Sequence, residues 1–350
     1  LFEYLAIRAI KKAKGEPKRA LVFLIILTAL ASAILDNVTT ILLAVPMTLV
    51  VCKQLNVSPV PFILSQVFAS NIGGAATLVG DPPNIIIASR ANLSFNDFLV
   101  HMAPWVIVVM MVITPMLVFM FRKELVNTAA DRARIDKLDE KSYLKDKVLL
   151  KKSLFVLGAV MIAFVLHTAL HLEPSIVAML GAGVLVGISR LKPKDYAMDV
   201  EWATLVFFAG LFIMVGALVK TGALGEFAKF LKDQVGDQAS LAAMVLLFVS
   251  AILSGIIDNI PYVASMSPVV TELSAGISNQ YGDVLWWALA FGADFGGNAT
   301  IIGASANVVA IGLAHKAGIK ISFWQFAKYG IPVTLVSVAM VAPYILIRYF

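Results

Sequence analysis

The sequence predicts an all-α, polytopic membrane protein built from two inverted-topology repeats, each with a re-entrant hairpin and a broken transmembrane helix. Three observations lead to this prediction. First, 60% of the 350 residues are hydrophobic and only 14% are charged, which lies far outside the averages for globular proteins. Second, several apolar runs are long enough to cross a hydrocarbon core of about 30 Å. Third, the chain carries an internal duplication.

The duplication is clearest in a glycine-rich segment, residues 73–84, which recurs 223 residues later as residues 296–307. Gly, Gly, Ala, Thr, Gly and Asn stand in the same order and at the same spacing in both copies. Further blocks pair Asp36, Asn37 and Pro46 with Asp258, Asn259 and Pro268, and Ser94, Phe95, Phe98 and Pro104 with Ser322, Phe323, Phe326 and Pro332. Because the blocks follow in order, the two halves are copies of one unit.

The first repeat, residues 1–121, divides into four elements. Residues 1–19 predict a cationic amphipathic helix in the membrane interface. Two apolar arms around a polar tip predict a re-entrant hairpin at about 21–52, because each arm is too short to span a bilayer and a polar tip needs protein or water to cover it. Residues from about 59 to 90 predict a helix broken at the glycine-rich segment, and residues 98–121 predict a spanning helix.

A polar cytoplasmic linker, residues 122–152, separates the repeats. The second repeat, residues 153–350, is expected to contain scaffold helices near 153–170, 175–189 and 202–219, a hairpin at about 240–275, a broken helix at about 284–314 and a last helix at 321–347. Counting crossings from the linker leaves only five of the 28 Lys and Arg residues outside, namely Arg90, Lys220, Lys229, Lys232 and Arg348. This distribution obeys the positive-inside rule and orients the repeats oppositely. We expect a multi-pass protein of the plasma membrane.

Alignment of the halves also predicts that N-terminal helices are missing. Leu1 and Glu3 align with Leu224 and Glu226, so residues from about 150 to 222 have no counterpart in the first half. We therefore expect an absent N-terminal segment of roughly 70 residues, or about two or three helices.

The breaks and the hairpin tips form the predicted ion or substrate site. A helix interrupted within the membrane presents free N–H groups, which suit anions, and free C=O groups, which suit cations. Two broken helices in corresponding halves are typical of secondary transporters. The alternative is that the glycines only permit a packing kink or a close helix crossing. The candidate residues are Asp36, Asn37, Thr39, Thr40, Asn71, Gly73, Gly74, Thr77, Gly80, Asp81, Asn84, Asp258, Asn259, Asp294, Gly297, Asn298, Thr300, Gly303, Ser305 and Asn307.

Four acidic residues lie nearest the inferred midplane: Asp36, Asp81, Asp258 and Asp294. A carboxylate there is costly and usually marks an ion or proton route. Asp36 and Asp258 occupy equivalent tips, so we expect them to converge on one site. Asp81 and Asp294 have no acidic counterpart in the other repeat. Such groups exchange H⁺ for a cation or carry H⁺ with a substrate; alternatively the tip residues cap the second hairpin arms, and both roles are compatible.

Composition and motifs argue against several other classes. The net charge of +6 is carried by loops between apolar segments, which argues against nucleic-acid binding. Cys52 is the only cysteine, so no intrachain disulfide or cysteine metal cluster is expected. HExxH, Walker A and GxSxG patterns are absent from the sequence. We therefore predict no enzymatic activity, no cofactor and no metal beyond a transported Na⁺.

Residues 70–84 and 296–307 resemble signatures of the ion transporter superfamily. The likeness is to the branch of arsenite permeases, sodium/proton antiporters and the pink-eyed-dilution P protein of melanosomes, with a citrate-transporter-like domain, and it covers nearly the whole chain. It implies a transport domain of hairpins and broken helices beside a scaffold domain, a homodimer and elevator-type alternating access. More distant divalent-anion/sodium symporters carry Ser-Asn-Thr at their tips. This chain has Asp36-Asn37-Val38 and Asp258-Asn259-Ile260 instead, and the added negative charge argues against dicarboxylate cargo.

The resulting hypothesis is a secondary active transporter of a small inorganic ion or oxyanion, embedded in the lipid bilayer and coupled to H⁺ or Na⁺. Arsenite or antimonite efflux and Na⁺/H⁺ exchange are the two expected activities. Two alternatives stay open. One is a sodium- or proton-coupled di- or tricarboxylate carrier of the citrate type. The other is a passive anion channel, which the positive half-helix ends and the likeness to the P protein favour.

Overall fold

The computed structural model describes residues 4, 8, 11–126, 147–189, 200, 202–222, 225, 226, 229, 238–275 and 282–350. Eight of the nineteen residues of the expected interfacial helix, and most of the expected linker, lie outside these residues. The described part is all-helical, with fourteen α-helices, one 3-10 turn at Ile301–Gly303 and no β-strand. The helices are α1 (Pro17–Ser32), α2 (Asn37–Leu55), α3 (Val60–Gly74), α4 (Pro82–Ala91), α5 (Phe95–His101), α6 (Ala103–Met120), α7 (Lys147–Leu170), α8 (Pro174–Ser189), α9 (Trp202–Lys220), α10 (Ala239–Ser254), α11 (Asn259–Ala275), α12 (Gly282–Gly296), α13 (Ser305–Lys316) and α14 (Phe323–Tyr349).

Four of these helices, α2, α6, α7 and α14, are long and apolar enough to cross a membrane. Shorter apolar helices lie at Pro174–Ser189, Thr204–Lys220 and Ala239–Ser254. Large apolar side chains on α7 and α9 face outward; Phe155 is 76% exposed and Ile213 is 74% exposed. Apolar surface of this extent suits lipid rather than water. The chain is therefore an integral, multi-pass membrane protein.

The tip of the first hairpin is shaped by a helix cap. Asp36 Oδ1 accepts hydrogen bonds from the backbone N–H groups of Val38 (2.9 Å) and Thr39 (3.1 Å), which is the geometry of an N-cap. Because of this cap, α2 begins within the polar tip and runs for 19 residues, or about 28 Å. The expectation that both arms of this hairpin are too short to span is therefore wrong for α2.

The segment at 98–121, expected to be a single spanning helix, is divided between α5 and α6. Ser94 and Asp97 form a capping box that starts α5. The break follows His101, and Pro104 lies in the first turn of α6, where its missing N–H costs no hydrogen bond. The apolar helix that is long enough to cross is thus α6 alone.

Each broken helix packs against the first arm of a hairpin at a glycine. A Cβ atom at Gly73 would lie 2.4 Å from the carbonyl oxygen of Ala29, and one at Gly296 would lie 2.5 Å from that of Ala251. Any side chain would force these backbones apart. Glycine therefore permits the close approach of α1 to α3 and of α10 to α12.

The second hairpin arms pack across the two halves of the chain. The α2 helix contacts α13, and α11 contacts α4. The hydrophobic core is accordingly one cluster that draws on both halves. The α7–α8 pair lies to one side and meets α5, where the Phe95 and Phe164 rings stack with centroids 5.4 Å apart.

Candidate ion-binding site

The two helix breaks are closed by the same set of hydrogen bonds. The α3 helix ends at Gly74 and α4 begins at Pro82. Across this gap Asn84 Nδ2 donates to the carbonyl oxygen of Thr77 at 3.1 Å. In the second break, Asn307 Nδ2 donates to the carbonyl oxygen of Thr300 at 2.8 Å. A side-chain amide thus satisfies a carbonyl that the interrupted helix leaves free.

Threonine hydroxyls attach each break to the neighbouring hairpin. Thr77 Oγ1 donates to the carbonyl oxygen of Ala33 at 2.7 Å, and Thr300 Oγ1 donates to that of Gly255 at 2.6 Å. These two candidate ligands therefore use their only proton to hold the loops in place. Their oxygens keep lone pairs, one of which accepts from the backbone N–H of Gly80 at 3.1 Å.

Asn71 joins the two halves of the chain at the centre of the molecule. Its Nδ2 donates to Asn298 Oδ1 at 3.0 Å and to Asn307 Oδ1 at 2.9 Å. Its Oδ1 accepts from Asn37 Nδ2 at 3.2 Å. All four asparagines are at most 2% exposed. This buried polar network links the two halves, although the Nδ2 atom of Asn298 has no partner among the described residues.

The carboxyl group of Asp81 accepts hydrogen bonds from the asparagine side chains of both hairpin tips. Asn37 Nδ2 donates to its Oδ2 at 2.9 Å, and Asn259 Nδ2 lies 3.3 and 3.4 Å from its two oxygens. The side chain is fully buried, and within the described residues no basic side chain pairs with it. Two amide donors stabilise the carboxylate but bring no opposite charge.

Asp294 lies beside this cluster, where the side chain of Asn84 is close to its carboxyl group. It is fully buried, and neither carboxyl oxygen has a hydrogen-bond partner in the described part of the chain. Asn84 Oδ1 and Asn298 Nδ2 are likewise buried and unpartnered. The carboxyl group of Asp294 is close enough to that of Asp81 for their negative charges to repel each other. An unsatisfied buried carboxyl is costly, so this position needs a proton or a cation.

The tip carboxylates Asp36 and Asp258 are placed differently from Asp81. Both are half-buried helix caps: Asp36 caps α2, and Asp258 Oδ1 accepts from the backbone N–H of Ile260 at 3.0 Å. Asp258 Oδ2 also accepts from Ser305 Oγ at 2.6 Å. Neither shares a hydrogen bond with the amide cluster among the described residues, although the charges of both act on Asp81. The capping alternative therefore describes their contacts in the structure.

The remaining candidates shape the site rather than face it with polar groups. The five candidate glycines lie where backbone approaches backbone; a Cβ atom at Gly80 would be 2.4 Å from the carbonyl oxygen of Gly74. The hydroxyl of Thr40 is buried without a partner, and the backbone N–H of Thr39 joins the Asp36 cap. The described residues contain no group of three or more His, Cys, Asp and Glu side chains that could hold a metal ion. Carboxyl and amide oxygens are nevertheless the ligands that hard cations prefer.

Sequence reasoning missed one matched pair of contacts. Ser32 Oγ donates to the carbonyl oxygen of Ser70 at 2.7 Å, and Ser254 Oγ donates to that of Ala293 at 2.6 Å. The signal was available, because Ser32 and Ser254 are separated by the same 222 residues as the hairpin tips. They reach carbonyls in the last turns of α3 and α12, just before each break.

Fold and site together define a multi-pass helical membrane protein with a buried polar site between interrupted helices. Comparison with known proteins identifies the class more closely. A family model described as "Citrate transporter" matches residues 1–292. The chain belongs to this family, within the ion transporter superfamily, and is a membrane transporter.

Several relatives are similar over the whole chain. An uncharacterized transporter of Mycobacterium tuberculosis is 53% identical over 352 residues, covering 100% of this chain and 82% of the relative. The 46 kDa membrane protein of Mycobacterium leprae is 52% identical over 350 residues, with the same coverage. The human P protein is 33% identical over 429 residues, covering 99% of this chain and 51% of its own length.

Proposed function

We propose that the protein is a secondary active transporter of a small inorganic ion, coupled to H⁺ or Na⁺, with Na⁺/H⁺ exchange as its first candidate activity. Arsenite or antimonite efflux is the second candidate within the same class. One observation carries the proposal. Two fully buried carboxyls, Asp81 and Asp294, lie among amides between the helix breaks, and no basic side chain pairs with either among the described residues.

The charge of this site favours a cation over an anion. Two carboxylates close together cannot both remain ionised in a dry interior without a counter-charge. A proton or a Na⁺ supplies that charge, and the two compete for the same oxygens. An exchanger needs this competition, because release of one ion then requires binding of the other.

We further propose that the two halves are inverted repeats and that the paired hairpins are re-entrant. The matched hydrogen bonds of Ser32 and Ser254, and those of Thr77 and Thr300, support a common architecture. Such repeats form their sites at the repeat interface. Here Asn71 supports that location, because it bonds to asparagines of the other half.

The mechanism that fits this architecture is elevator-type alternating access in a homodimer. In this proposal the hairpins and broken helices move as one transport domain, because their backbones contact each other at Gly73 and Gly296. The α7, α8 and α9 helices then belong to the scaffold. They bury few residues in the described structure, which leaves apolar surface for lipid and a second subunit.

The test is ion flux in proteoliposomes that contain the purified protein and a pH-sensitive dye. An imposed Na⁺ gradient should drive proton movement, and Asp81→Asn and Asp294→Asn should each reduce it at least about tenfold. Asp283→Asn, an exposed carboxyl at the start of α12, is the matched control and should transport normally. If ion flux does not change when a Na⁺ gradient or a pH gradient is imposed, the proposed coupling is wrong.

A carboxylate carrier of the citrate type is the second candidate, because the matching family model is described in those words. The unpaired acidic residues argue against it, since they repel a multivalent anion. Binding measurements with citrate and succinate, with and without Na⁺, separate the two readings. A passive anion channel would instead give currents that reverse at the Nernst potential of the anion without counter-flux.

A further inference from the structure

A groove on the outer surface lies between the first turns of α1 and the last turns of α6, which pack against each other. Its cavity volume is about 540 Å³. The lining residues are Lys18, Val22, Thr114, Pro115, Val118, Phe119 and Arg122. This groove shares no residue with the amide cluster.

The groove has an apolar wall and a cationic rim. The wall is formed mainly by Val22, Val118 and Phe119, and the Phe119 ring is 62% exposed. Lys18 and Arg122 supply two positive charges at helix ends. The Arg122 guanidinium lies 4.1 Å from the centroid of the Phe119 ring, a cation–π contact that orients it at the rim.

Neither cation is neutralised by a described side chain. Lys18 and Arg122 form no ion pair in the described part of the chain, while the nearby acid Glu16 is bound to Arg19 at 2.7 Å. Both helices pass here from apolar sequence to charged sequence, which is the level of the lipid headgroups. Two unpaired charges above an apolar wall match a phosphate joined to acyl chains.

We propose that this groove binds one anionic phospholipid, with the phosphate between Lys18 and Arg122 and an acyl chain along Val22, Val118 and Phe119. Basic pockets between membrane helices are known to take anionic headgroups. A free phosphate would leave the wall exposed, and a zwitterionic lipid would add no net charge at the rim. The inference concerns the membrane-facing surface and does not depend on the transported ion.

The test is native mass spectrometry of the purified full chain in detergent, titrated with phosphatidylglycerol or with phosphatidylcholine of the same acyl chains. We expect one phosphatidylglycerol to bind in preference to phosphatidylcholine. The double variant K18Q/R122Q should weaken phosphatidylglycerol binding about 30-fold, as expected for two lost charges near the headgroups. The control K53Q/K316Q removes two exposed charges from the ends of α2 and α13 and should bind normally.

A variant that leaves the charge unchanged separates the groove from general electrostatics. Val118→Trp fills the apolar wall, so it should reduce phosphatidylglycerol binding although both cations remain. Equal binding by wild type, K18Q/R122Q and Val118→Trp would overturn the proposal. No preference over phosphatidylcholine would also overturn it, including the case in which a second copy of the chain covers the groove.

Discussion

The close approach of the α1 and α3 backbones at Gly73 gives a quantitative prediction. A methyl group at Gly73 would lie 2.4 Å from the carbonyl oxygen of Ala29 and 2.6 Å from its Cα atom. Ordinary contact needs about 3.4 Å or more, so α1 and α3 must separate by about 1 Å. Overpacking of this kind costs about 1–3 kcal/mol. We therefore expect Gly73→Ala to lower Tm by several degrees.

The assay is thermal unfolding in detergent, followed by intrinsic fluorescence. Gly296→Ala should behave in the same way, because its Cβ atom would lie 2.5 Å from the carbonyl oxygen of Ala251. Gly312→Ala is the control, since nothing lies within 4 Å of a Cβ atom there and alanine favours helix by up to about 1 kcal/mol.

Rescue experiments sharpen the test. Ala29→Gly should not restore Gly73→Ala, because the clash is with backbone atoms that any residue would present. If Gly73→Ala and Gly296→Ala both have the same Tm as the Gly312→Ala control, the close contact does not determine how these helices pack.

Three further predictions concern the site and its surroundings. Asn71→Ala removes three hydrogen bonds between buried amides and should destabilise the protein by about 2–4 kcal/mol, measured by thermal unfolding; an unchanged Tm would show that this link between the halves is dispensable. Asp36→Asn and Asp258→Asn keep a side-chain oxygen that accepts the capping hydrogen bonds, so transport and its pH dependence should stay close to those of the wild type; a flattened pH profile in either variant would place that carboxyl in the coupling site. Burial, with the charge of Arg348, lowers the pKa of His101. The unfolded chain therefore takes up that proton first, and stability should fall as pH drops below about 6.5. His101→Phe should reduce that slope, and equal slopes would contradict the assignment.

The breaks between α3 and α4 and between α12 and α13 were predictable from the sequence because their causes are local. Glycine and asparagine recur at the same spacing in both segments, and Pro82 and Pro83 reinforce the first break, so continuous helix is disfavoured regardless of what lies nearby. The same locality explains the error over α2. The Asp36 cap extends that helix into the tip, and hydrophobicity alone assigns those residues to a loop.

The identity of the central carboxylates was harder to infer. Sequence symmetry singles out Asp36 and Asp258, yet the amides of both tips converge on Asp81, whose counterpart in the other half is Ala304. Which acid the tips reach depends on how α2 and α11 cross between the halves. That arrangement is tertiary, and a single sequence carries no local signal for it.

The second hairpin arm of each half packs against the other half of the chain, through the α2–α13 and α11–α4 contacts. This arrangement has a consequence for biogenesis. The amide of Asn71 finds its acceptors 227 and 236 residues further along the chain, so the nascent first half emerges with its polar interior unmatched. Contacts of such long sequence separation form late, and incomplete chains expose surfaces that invite misassembly. Expressed alone, neither half should reach a stable state, whereas co-expressed halves should recover one complex.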